Sequence, residues 1–375
     1  MKRKFRFIKA LACFAGTIIG VGFFCLPYVA RQAGFFVVVA YFILMSGIVI
    51  VIHSLLGEVT CDTHRVARIP GYAEEYLGKR AKKISFTVSL LSLAGALLAY
   101  LIMGGEFLYL LLSPLIGGAV IYYILAYFIL GSIIIYRDRC AMVPIQLILG
   151  VVFVLILLFF FFRGLPYVHL NNLATFDYRF LTMPYGVILF SLWGITLVPE
   201  VKEIVDRNRK KLFKVIGFGI IISAICYLLF TFTILGVSGT ETTNDAILGF
   251  SKIIDPRLIY LGFLLGLITT FTSFISIGTT LKKIFWYDLK LSKKKSWAFA
   301  CFIPLALYLL GFKNCIDVIG LTGGIFLGLE GIIVILIYQH FVKKRFQYRI
   351  PFFTYLLIIL LLLGMVSEIA YLFIR

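Results

Sequence analysis

The chain has 375 residues, of which 62% are hydrophobic and 16% aromatic, and its mean hydropathy is +1.04. A soluble globular protein cannot bury so much apolar surface, so the composition predicts an all-α polytopic membrane protein. The formal net charge of +19 could indicate a nucleic-acid-binding protein, but the positions of the basic residues argue for a different role.

Pro, Gly and charge clusters divide the chain into eleven hydrophobic segments that we predict to be membrane spans, of which the ninth is shorter than the roughly 20 apolar residues that the lipid core requires per helix. They lie near residues 8–28, 33–56, 84–112, 116–136, 141–162, 184–203, 214–237, 257–281, 297–312, 315–338 and 352–374, and we number them spans 1 to 11. The loop 57–83 contains IPGYAEEYLGK and is expected to carry an interfacial helix. The loops 163–183 and 238–256 are polar enough to lie over an entrance.

Basic residues are distributed unequally between the two ends of these spans. When the N-terminus MKRKFRFIK is placed inside, only seven of the 36 Lys and Arg residues lie outside: Arg31, Arg163, Arg179, Lys252, Arg257, Lys313 and Arg375. This is the positive-inside pattern, so the charge orients the chain with its N-terminus inside and its C-terminus outside. Attraction to anionic lipid is a secondary effect, and no nucleic-acid partner is expected.

The sequence offers little material for catalysis. It contains no HExxH, GxSxG or GxxxxGK[ST] string, and its four histidines are scattered. The seven cysteines form no CxxC pair and are expected to be packing residues without disulfides. We therefore expect no enzyme and no organic cofactor. Short loops and a length of 375 residues without tails indicate a prokaryotic cytoplasmic (inner) membrane. No cleavable signal is evident before span 2.

Spans 1 and 6 share an unusual interruption. Span 1 contains FAGTIIGVGFFCLPY and span 6 contains GVILFSLWGITLVPEV. In each, proline follows glycine at the same interval, Gly22 to Pro27 and Gly194 to Pro199. One such segment could be a close-packing face, but two in oppositely oriented spans indicate an inverted-repeat transporter. Glycine and proline weaken the helix, and unwound backbone at membrane depth is tolerated where it lines a cavity.

These two segments resemble spans 1 and 6 of amino acid permeases of the amino acid/auxin permease family, in the amino acid, polyamine and organocation superfamily. The GEV that closes span 2 and the spacing of all eleven spans fit this resemblance. It implies a leucine-transporter-type fold with two inverted repeats, 1–162 (spans 1–5) and 184–338 (spans 6–10), joined by the extracellular loop 163–183. The remaining residues, 339–375, would hold a peripheral span 11.

The resemblance also implies the function, a secondary active transporter that imports a neutral or aromatic amino acid by alternating access, coupled to Na+ or H+. The expected partners are the amino acid and the lipid bilayer, and the chain is compatible with a monomer. The alternative class is a membrane sensor or scaffold that keeps the fold without transport. Intact breaks in both spans argue against this alternative, because a non-transporting relative has no need of unwound backbone in lipid.

The two breaks are expected to form the amino acid site. The half-helix that begins near Gly22 points free amides and a positive dipole end at the midplane, where they can receive a carboxylate. The half-helix that ends near Gly16 points carbonyl oxygens at the same region, where they can receive an ammonium group or a cation. The predicted substrate-binding residues are Thr17, Gly20, Val21, Gly22, Tyr100, Ser191, Trp193 and Gly194. Tyr100 resembles the tyrosine that closes over substrate in this fold, with ordinary packing as the alternative.

A cation site is implied by the same resemblance. In sodium-coupled relatives a Thr/Ser pair on span 8 joins carbonyl groups of span 1 around Na+. In the span 8 sequence LITTFTSFISIGTT, the predicted ligands are Gly16, Ile19, Thr269, Thr272 and Ser273. The alternative is that these hydroxyls bond back to carbonyls of their own helix. Span 5 lacks the lysine that proton-coupled relatives place there, which favours Na+.

Among the carboxylates within spans, two are singled out, because an ionised group there costs roughly 2.5–3.5 kcal/mol. Glu330 of span 10 is a candidate proton relay, and the alternative is a hydrogen bond to a neighbouring hydroxyl or backbone group. Glu106 of span 3 is a candidate outer gate or partner of Arg31. Three further carboxylates are expected to form ion pairs at the inner face: Glu58, Glu200 and Glu203.

Overall fold

The computed structural model describes residues 2–63, 67–137, 142–251, 257–347 and 350–374, so Cys140 and His64 lie outside it. Within these ranges the chain is helical and has no β-strand. The α-helices are α1 (Lys2–Ile18), α2 (Gly22–Ala33), α3 (Phe35–Asp62), α4 (Ile69–Leu77), α5 (Lys79–Ile116), α6 (Val120–Arg137), α7 (Met142–Gly164), α8 (Pro184–Leu192), α9 (Val198–Ile204), α10 (Arg209–Ser238), α11 (Ile247–Ser251), α12 (Arg257–Lys283), α13 (Lys293–Leu309), α14 (Cys315–Leu321), α15 (Gly328–Phe346) and α16 (Phe352–Ile374). Short 3₁₀ segments are Leu165–Tyr167, Leu170–Leu173, Tyr178–Phe180, Ile195–Leu197 and Gly239–Glu241, and π-helical segments are Ile284–Asp288 and Thr322–Leu327.

These helices account for the eleven predicted spans. In the described part of the chain, eight single helices are long and apolar enough to cross a membrane, and they form spans 2, 3, 4, 5, 7, 8, 10 and 11. The pair α1 and α2 forms span 1 with a bend of 53°. Span 6 consists of the short helices α8 and α9, and α13 with 17 residues forms span 9. The chain is an integral membrane protein, because such helices satisfy their backbone groups without water.

Burial separates the inner spans from the outer ones. In the most apolar stretch of span 3, 72% of the residues are buried, and the share is 67% in spans 7 and 10. Every residue of α8 is buried. The share falls to 22% in span 5 and 33% in span 11, whose apolar side chains face outward, as lipid allows. The broken spans therefore lie at the centre of the bundle.

Glycines let the inner helices approach each other closely. A Cβ atom at Gly104 of span 3 would lie 2.2 Å from the ring of Tyr127 in span 4. A Cβ atom at Gly266 of span 8 would lie 2.5 Å from the ring of Phe107 in span 3. Because lipid gives no hydrophobic force between helices, this contact depends on small residues.

Ion pairs cluster at the end of the bundle that carries α4, the predicted interfacial helix. The three predicted carboxylates are paired as expected: Glu58 with Arg209, Glu200 with Arg68, and Glu203 with Arg207. Arg6 at the start of span 1 pairs with Asp206, which follows span 6. The buried Lys202 of α9 donates to the carbonyl oxygen of Thr60 in span 2 at 2.7 Å. Most of these contacts join spans 1 and 2 and the loop before α4 to the segment 200–209 around the end of span 6. They close the end of the bundle that carries α4.

Candidate functional site

Span 1 unwinds between the end of α1 and the start of α2. The amides of Phe23 and Phe24 donate to the carbonyl oxygens of Gly20 and Val21, at 3.1 Å each. In the described chain, the amides of Val21 and Gly22 make no backbone hydrogen bond. Both lie at the N-terminus of α2, where free amides and the helix dipole favour an anion. Val21 itself is fully buried.

A tyrosine of span 7 bridges the two breaks. The hydroxyl oxygen of Tyr227 lies 2.9 Å from the carbonyl oxygen of Ile18 and 3.1 Å from that of Ser191, and it accepts from the amide of Gly20 at 3.3 Å. The Tyr227 hydroxyl is therefore a hydrogen-bond partner for backbone groups that unwinding would leave unpaired. Sequence reasoning missed Tyr227, because it is one of 21 tyrosines and lies in an uninterrupted helix.

Span 6 unwinds directly after α8. Trp193 has extended backbone angles (φ −81°, ψ 115°), and the amide of Gly194 donates to Nε2 of His53 in span 2 at 3.0 Å. Because Nε2 accepts this bond, the neutral imidazole carries its proton on Nδ1. The ring of His53 is fully buried and packs edge-on against Trp193, with ring centroids 5.2 Å apart. The spacing of the four histidines along the chain did not predict this contact.

The carboxyl group of Glu330 faces the same break. Its Oε1 accepts from the hydroxyl of Ser89 at 2.7 Å, and its Oε2 accepts from Nε1 of Trp193 at 2.9 Å. The side chain is only 1% exposed. The expected hydrogen bond to a hydroxyl is thus present, and a proton-relay role stays a prediction.

Spans 1, 3, 6 and 10 enclose a cavity of about 40 Å³ at the breaks. Its walls include four predicted substrate-binding residues and one predicted carboxylate: Thr17, Tyr100, Trp193, Gly194 and Glu330. Ligand pockets are typically about 300–1,000 Å³. The structure is therefore a closed state, in which the cavity at the breaks is much smaller than a typical ligand pocket.

The other predicted substrate-binding residues lie beside this cavity. A Cβ atom at Gly20 would lie 2.4 Å from the hydroxyl of Tyr100, which places the tyrosine directly against the break of span 1. A Cβ atom at Gly22 would lie 2.0 Å from Oγ of Ser191, so the two breaks touch at these residues. The Ser191 hydroxyl donates to the carbonyl oxygen of Val187 in its own helix at 2.7 Å.

Of the residues predicted to bind Na+, Gly16 and Ile19 lie at the end of α1, and the other three lie in α12. Four of them line a second cavity of about 390 Å³ between spans 1, 5, 7 and 8: Gly16, Ile19, Thr269 and Thr272. The hydroxyls of Thr269 and Thr272 donate back to carbonyls of their own helix, at 3.0 Å each. This is the alternative that the sequence left open, although each oxygen keeps lone pairs that could still coordinate a cation.

The fifth predicted ligand, Ser273, is not among the residues that line this second cavity. Its buried hydroxyl has no hydrogen bond of normal geometry in the described chain, and it faces the hydroxyl of Tyr100. A buried hydroxyl without a partner is uncommon and is a candidate contact for a ligand.

The suggested pairing of Glu106 with Arg31 was wrong. Arg31 donates instead to the carbonyl oxygen of Thr242, at 2.7 Å, because the loop after span 7 reaches over the end of α2. Glu106 is near enough to Asp245 and Tyr308 to interact with both electrostatically. The structure does not place Glu106 in the wall of the cavity at the breaks, and its gating role stays a prediction.

Aromatic rings fill the space between the break of span 1 and the end of the bundle that carries Arg31. Phe23 stacks on Phe230 with ring centroids 3.9 Å apart, and Phe24 packs edge-on against Phe107 at 4.6 Å. All four side chains are almost completely buried. Together with the ion pairs at the α4 end, these rings close the cavity on both sides.

A further buried carboxyl, which sequence reasoning did not select, lies in span 11. Glu368 is 3% exposed and fits against glycines of spans 6 and 10. A Cβ atom at Gly186 would lie 2.7 Å from its Oε2, and one at Gly320 would lie 2.7 Å from its Oε1. In the described chain Oε2 has no hydrogen bond. Glu368 thus connects span 11 to α8, the first half of broken span 6.

Solved transporters share this fold at low sequence identity. Mhp1, a nucleobase-cation-symport-1 family transporter in a closed conformation with bromovinylhydantoin bound, matches with a TM-score of 0.70 and 11% identity over 92% of this chain and 79% of its own. Its inward-facing conformation gives a TM-score of 0.71 and 10% identity over 90% and 77%. MhsT in complex with L-phenylalanine gives 0.61 and 16% identity over 98% and 97%. These matches establish the expected leucine-transporter-type fold.

The sequence comparisons identify the family. No curated protein matches the chain by sequence. The profile of the tryptophan/tyrosine permease family matches residues 3–371, which is a different permease family from the amino acid/auxin permeases that the broken spans resemble. Because this profile spans nearly the whole chain and the fold is that of known transporters, the chain belongs to the tryptophan/tyrosine permease family and is a secondary transporter that works by alternating access.

Proposed function

We propose that the protein imports an aromatic or neutral amino acid, with tryptophan and tyrosine as the leading substrates. The observation that carries this proposal is the cavity at the two breaks, whose walls include Tyr100, Phe190 and Trp193. Aromatic walls suit an aromatic guest, because flat rings bury a large apolar area and pack edge-on or offset. The family description, the L-phenylalanine bound to MhsT and the resemblance to amino acid/auxin permeases support the same substrate class.

The α-carboxylate is assigned to the break of span 1. The amides of Gly20, Val21 and Gly22 lie at or before the N-terminus of α2. In the described chain none of them bonds to a backbone carbonyl, and that of Gly20 donates to the hydroxyl of Tyr227. Thr17 lies one turn earlier in the wall of the cavity. Amides at a helix N-terminus bind carboxylates through direct hydrogen bonds and the positive end of the dipole.

The α-ammonium and the side chain are assigned to the break of span 6. The ammonium would be received by the carbonyl groups around Ser191 and Gly194. The side chain would lie beside Tyr100, in the part of the cavity that Trp193 also lines. The contact between Tyr100 and Gly20 supports a role for this tyrosine in closing over the bound amino acid.

Coupling to Na+ is the first of two proposals for the driving ion. The carbonyl groups of Gly16, Ile19 and Thr269, with the hydroxyls of Thr272 and Ser273, would supply an all-oxygen shell of the kind that hard cations prefer. The cavity that reaches four of these residues supports this assignment, as does the description of the similar transporter Mhp1 as a cation symporter.

Coupling to H+ is the second proposal. Glu330 is a buried carboxyl in the wall of the substrate cavity, and Glu106 is a more distant candidate for proton binding or gating. A membrane carboxyl without a cationic partner marks a functional site by default. The two proposals differ in the gradient that drives accumulation, so transport under separate ion gradients decides between them.

The predicted arrangement of the chain remains part of the proposal. Residues 1–162 and 184–338 would be inverted repeats, with 163–183 as an extracellular loop and 339–375 holding the peripheral span 11. The positive-inside pattern supports an N-terminus inside and a C-terminus outside in a prokaryotic inner membrane. A single chain contains both breaks, which is compatible with a functional monomer.

Counterflow in proteoliposomes tests the function. Vesicles containing the purified protein and unlabelled tryptophan should take up external labelled tryptophan transiently, whereas protein-free vesicles should not. Absence of exchange for every aromatic and neutral amino acid would favour the sensor or scaffold alternative. Accumulation under an imposed Na+ gradient, compared with an imposed H+ gradient, then identifies the ion.

A further inference from the structure

We propose that Glu330 selects substrates by accepting a hydrogen bond from the side chain of the amino acid: the indole N–H of tryptophan or the phenol O–H of tyrosine. This inference rests on the proposed function and specifies how the same cavity would recognise its guest. It makes Glu330 a specificity-determining residue whose ligand is a donor on an aromatic ring.

The two oxygens of Glu330 have separate partners. Oε1 is held by the hydroxyl of Ser89 in span 3, at 2.7 Å, and this bond fixes the orientation of the carboxyl group. Oε2 accepts from the indole Nε1 of Trp193 at 2.9 Å, and both residues line the cavity. Both donors are neutral, and the side chain is 1% exposed. The group is therefore placed to accept hydrogen bonds from a ring donor.

The protein's own indole occupies the position that a substrate ring would take. The far edge of the Trp193 ring lies over Gly331, where a Cβ atom would be 3.2 Å from its Cη2 atom. The ring also forms part of the cavity wall beside Tyr100 and Glu330. The closed structure thus already contains the complex of an indole with Glu330 that a tryptophan substrate would form.

Trp193 is the cavity-lining aromatic residue that can move at least cost. Tyr100 and Phe190 belong to regular helices, α5 and α8, whereas Trp193 lies in the unwound segment. The cavity of about 40 Å³ has to widen for any amino acid. Displacing the Trp193 ring provides this space and removes the donor from Oε2 of Glu330 at the same time.

A buried acceptor that loses its donor is unfavourable, so the incoming amino acid must replace the hydrogen bond. Tryptophan and tyrosine can do so, and phenylalanine cannot. Sites built to hydrogen-bond a substrate group discriminate strongly against analogues that lack it. The selectivity does not depend on whether Glu330 also carries a coupled proton, because a carboxyl oxygen accepts from N–H in either protonation state.

The test compares tryptophan with 3-benzothienyl-L-alanine, in which sulfur replaces the indole N–H and the ring shape is kept. Each compound competes with labelled tryptophan in counterflow by wild-type protein in proteoliposomes. We expect tryptophan to compete at a concentration at least about tenfold lower than the analogue. Equal competition would overturn the inference while leaving the proposed function intact, whereas absence of any tryptophan exchange would contradict the proposed function itself.

Substitutions test whether Glu330 is the cause of the preference for tryptophan over the analogue. Glu330→Met keeps the length of the side chain and removes the acceptor, so the preference for tryptophan should fall below about threefold. Glu368→Gln alters a second buried carboxyl that does not line the cavity, and the preference should persist. If Glu330→Met does not fold, Trp193→Phe gives an independent result: removing the competing indole should preserve or raise the preference. Selectivity that survives in Glu330→Met, or falls in Trp193→Phe, contradicts the assignment.

Discussion

The hydroxyl of Tyr227 accepts a hydrogen bond from the amide of Gly20 at 3.3 Å, although the two residues belong to different spans. The same hydroxyl lies 2.9 Å from the carbonyl oxygen of Ile18 and 3.1 Å from that of Ser191. It therefore links the break of span 1 to that of span 6. Two unwound segments in lipid are stable together because a third helix supplies a donor and an acceptor between them.

Replacing Tyr227 with phenylalanine should loosen both breaks. The ring and its packing remain, but backbone groups at the breaks lose their partner, at a cost of about 1–3 kcal/mol. We expect a lower unfolding temperature in detergent and slower tryptophan counterflow. Tyr122→Phe is the matched control, because Tyr122 is 66% exposed at the surface of the bundle. Unchanged stability and exchange in Tyr227→Phe would contradict the bridging role.

Adding a methyl group at Gly22 should block the closed state. Its Cβ atom would lie 2.0 Å from Oγ of Ser191, which is far closer than non-bonded atoms can approach. We expect Gly22→Ala to abolish exchange and Gly22→Ala with Ser191→Gly to recover part of it. Gly47→Ala in span 2 is the control, because a Cβ atom there meets nothing within 4 Å. Failure of the double variant to exceed Gly22→Ala would show that the steric contact is not the cause.

The candidate cation site is tested by Thr272→Ala combined with Ser273→Ala. If Na+ drives transport through these oxygens, losing two ligands should raise the Na+ concentration for half-maximal uptake at least about tenfold, or abolish the dependence. Thr280→Ala is the control on the same helix, since its hydroxyl bonds back to the carbonyl of Ser276 at 3.0 Å. Na+ dependence that is identical in wild type and the double variant would remove the proposed site.

The salt bridge between Arg68 and Glu200 ties α4 to α9 with an N–O distance of 2.8 Å. Reversing one charge, in Arg68→Glu or Glu200→Arg, should weaken closure of this end and reduce uptake several-fold. The doubly reversed protein should regain uptake if the pair itself matters. The exposed pair Asp177 and Arg179 is the matched control, and its reversal should have little effect. Uptake that falls additively in the double variant would exclude a direct interaction.

The runs of apolar residues and the positions of glycine and proline predicted the spans and the two breaks correctly. The spans follow from runs of apolar residues, and the breaks from a repeated glycine-to-proline interval in spans 1 and 6. These are local signals, because backbone that leaves the helix needs particular residues at that position. The sequence predicted that these residues surround one binding site. It did not predict the direct contacts of Gly22 with Ser191 and of Gly20 with Tyr100.

The missed residues act through tertiary contacts and have no local signal. Tyr227, His53 and Glu368 lie in regular helices, so their sequence surroundings resemble those of ordinary packing residues. Their importance arises from contacts with distant chain segments. His53, for example, accepts a hydrogen bond from the amide of Gly194, which lies 141 positions later in the chain. Glu368 can be buried because glycines of other helices face it. Such pairings depend on the order in which spans pack, which one sequence does not specify.

We propose that this protein exchanges aromatic amino acids across a membrane through the cavity at the two breaks. The decisive measurement is counterflow of labelled tryptophan in proteoliposomes, made side by side for wild type and Gly22→Ala. We expect transient accumulation of label with wild type, inhibition by excess external tyrosine, and no accumulation with Gly22→Ala. No accumulation with well-folded wild-type protein, or equal accumulation with both proteins, would refute the proposed transport through this cavity.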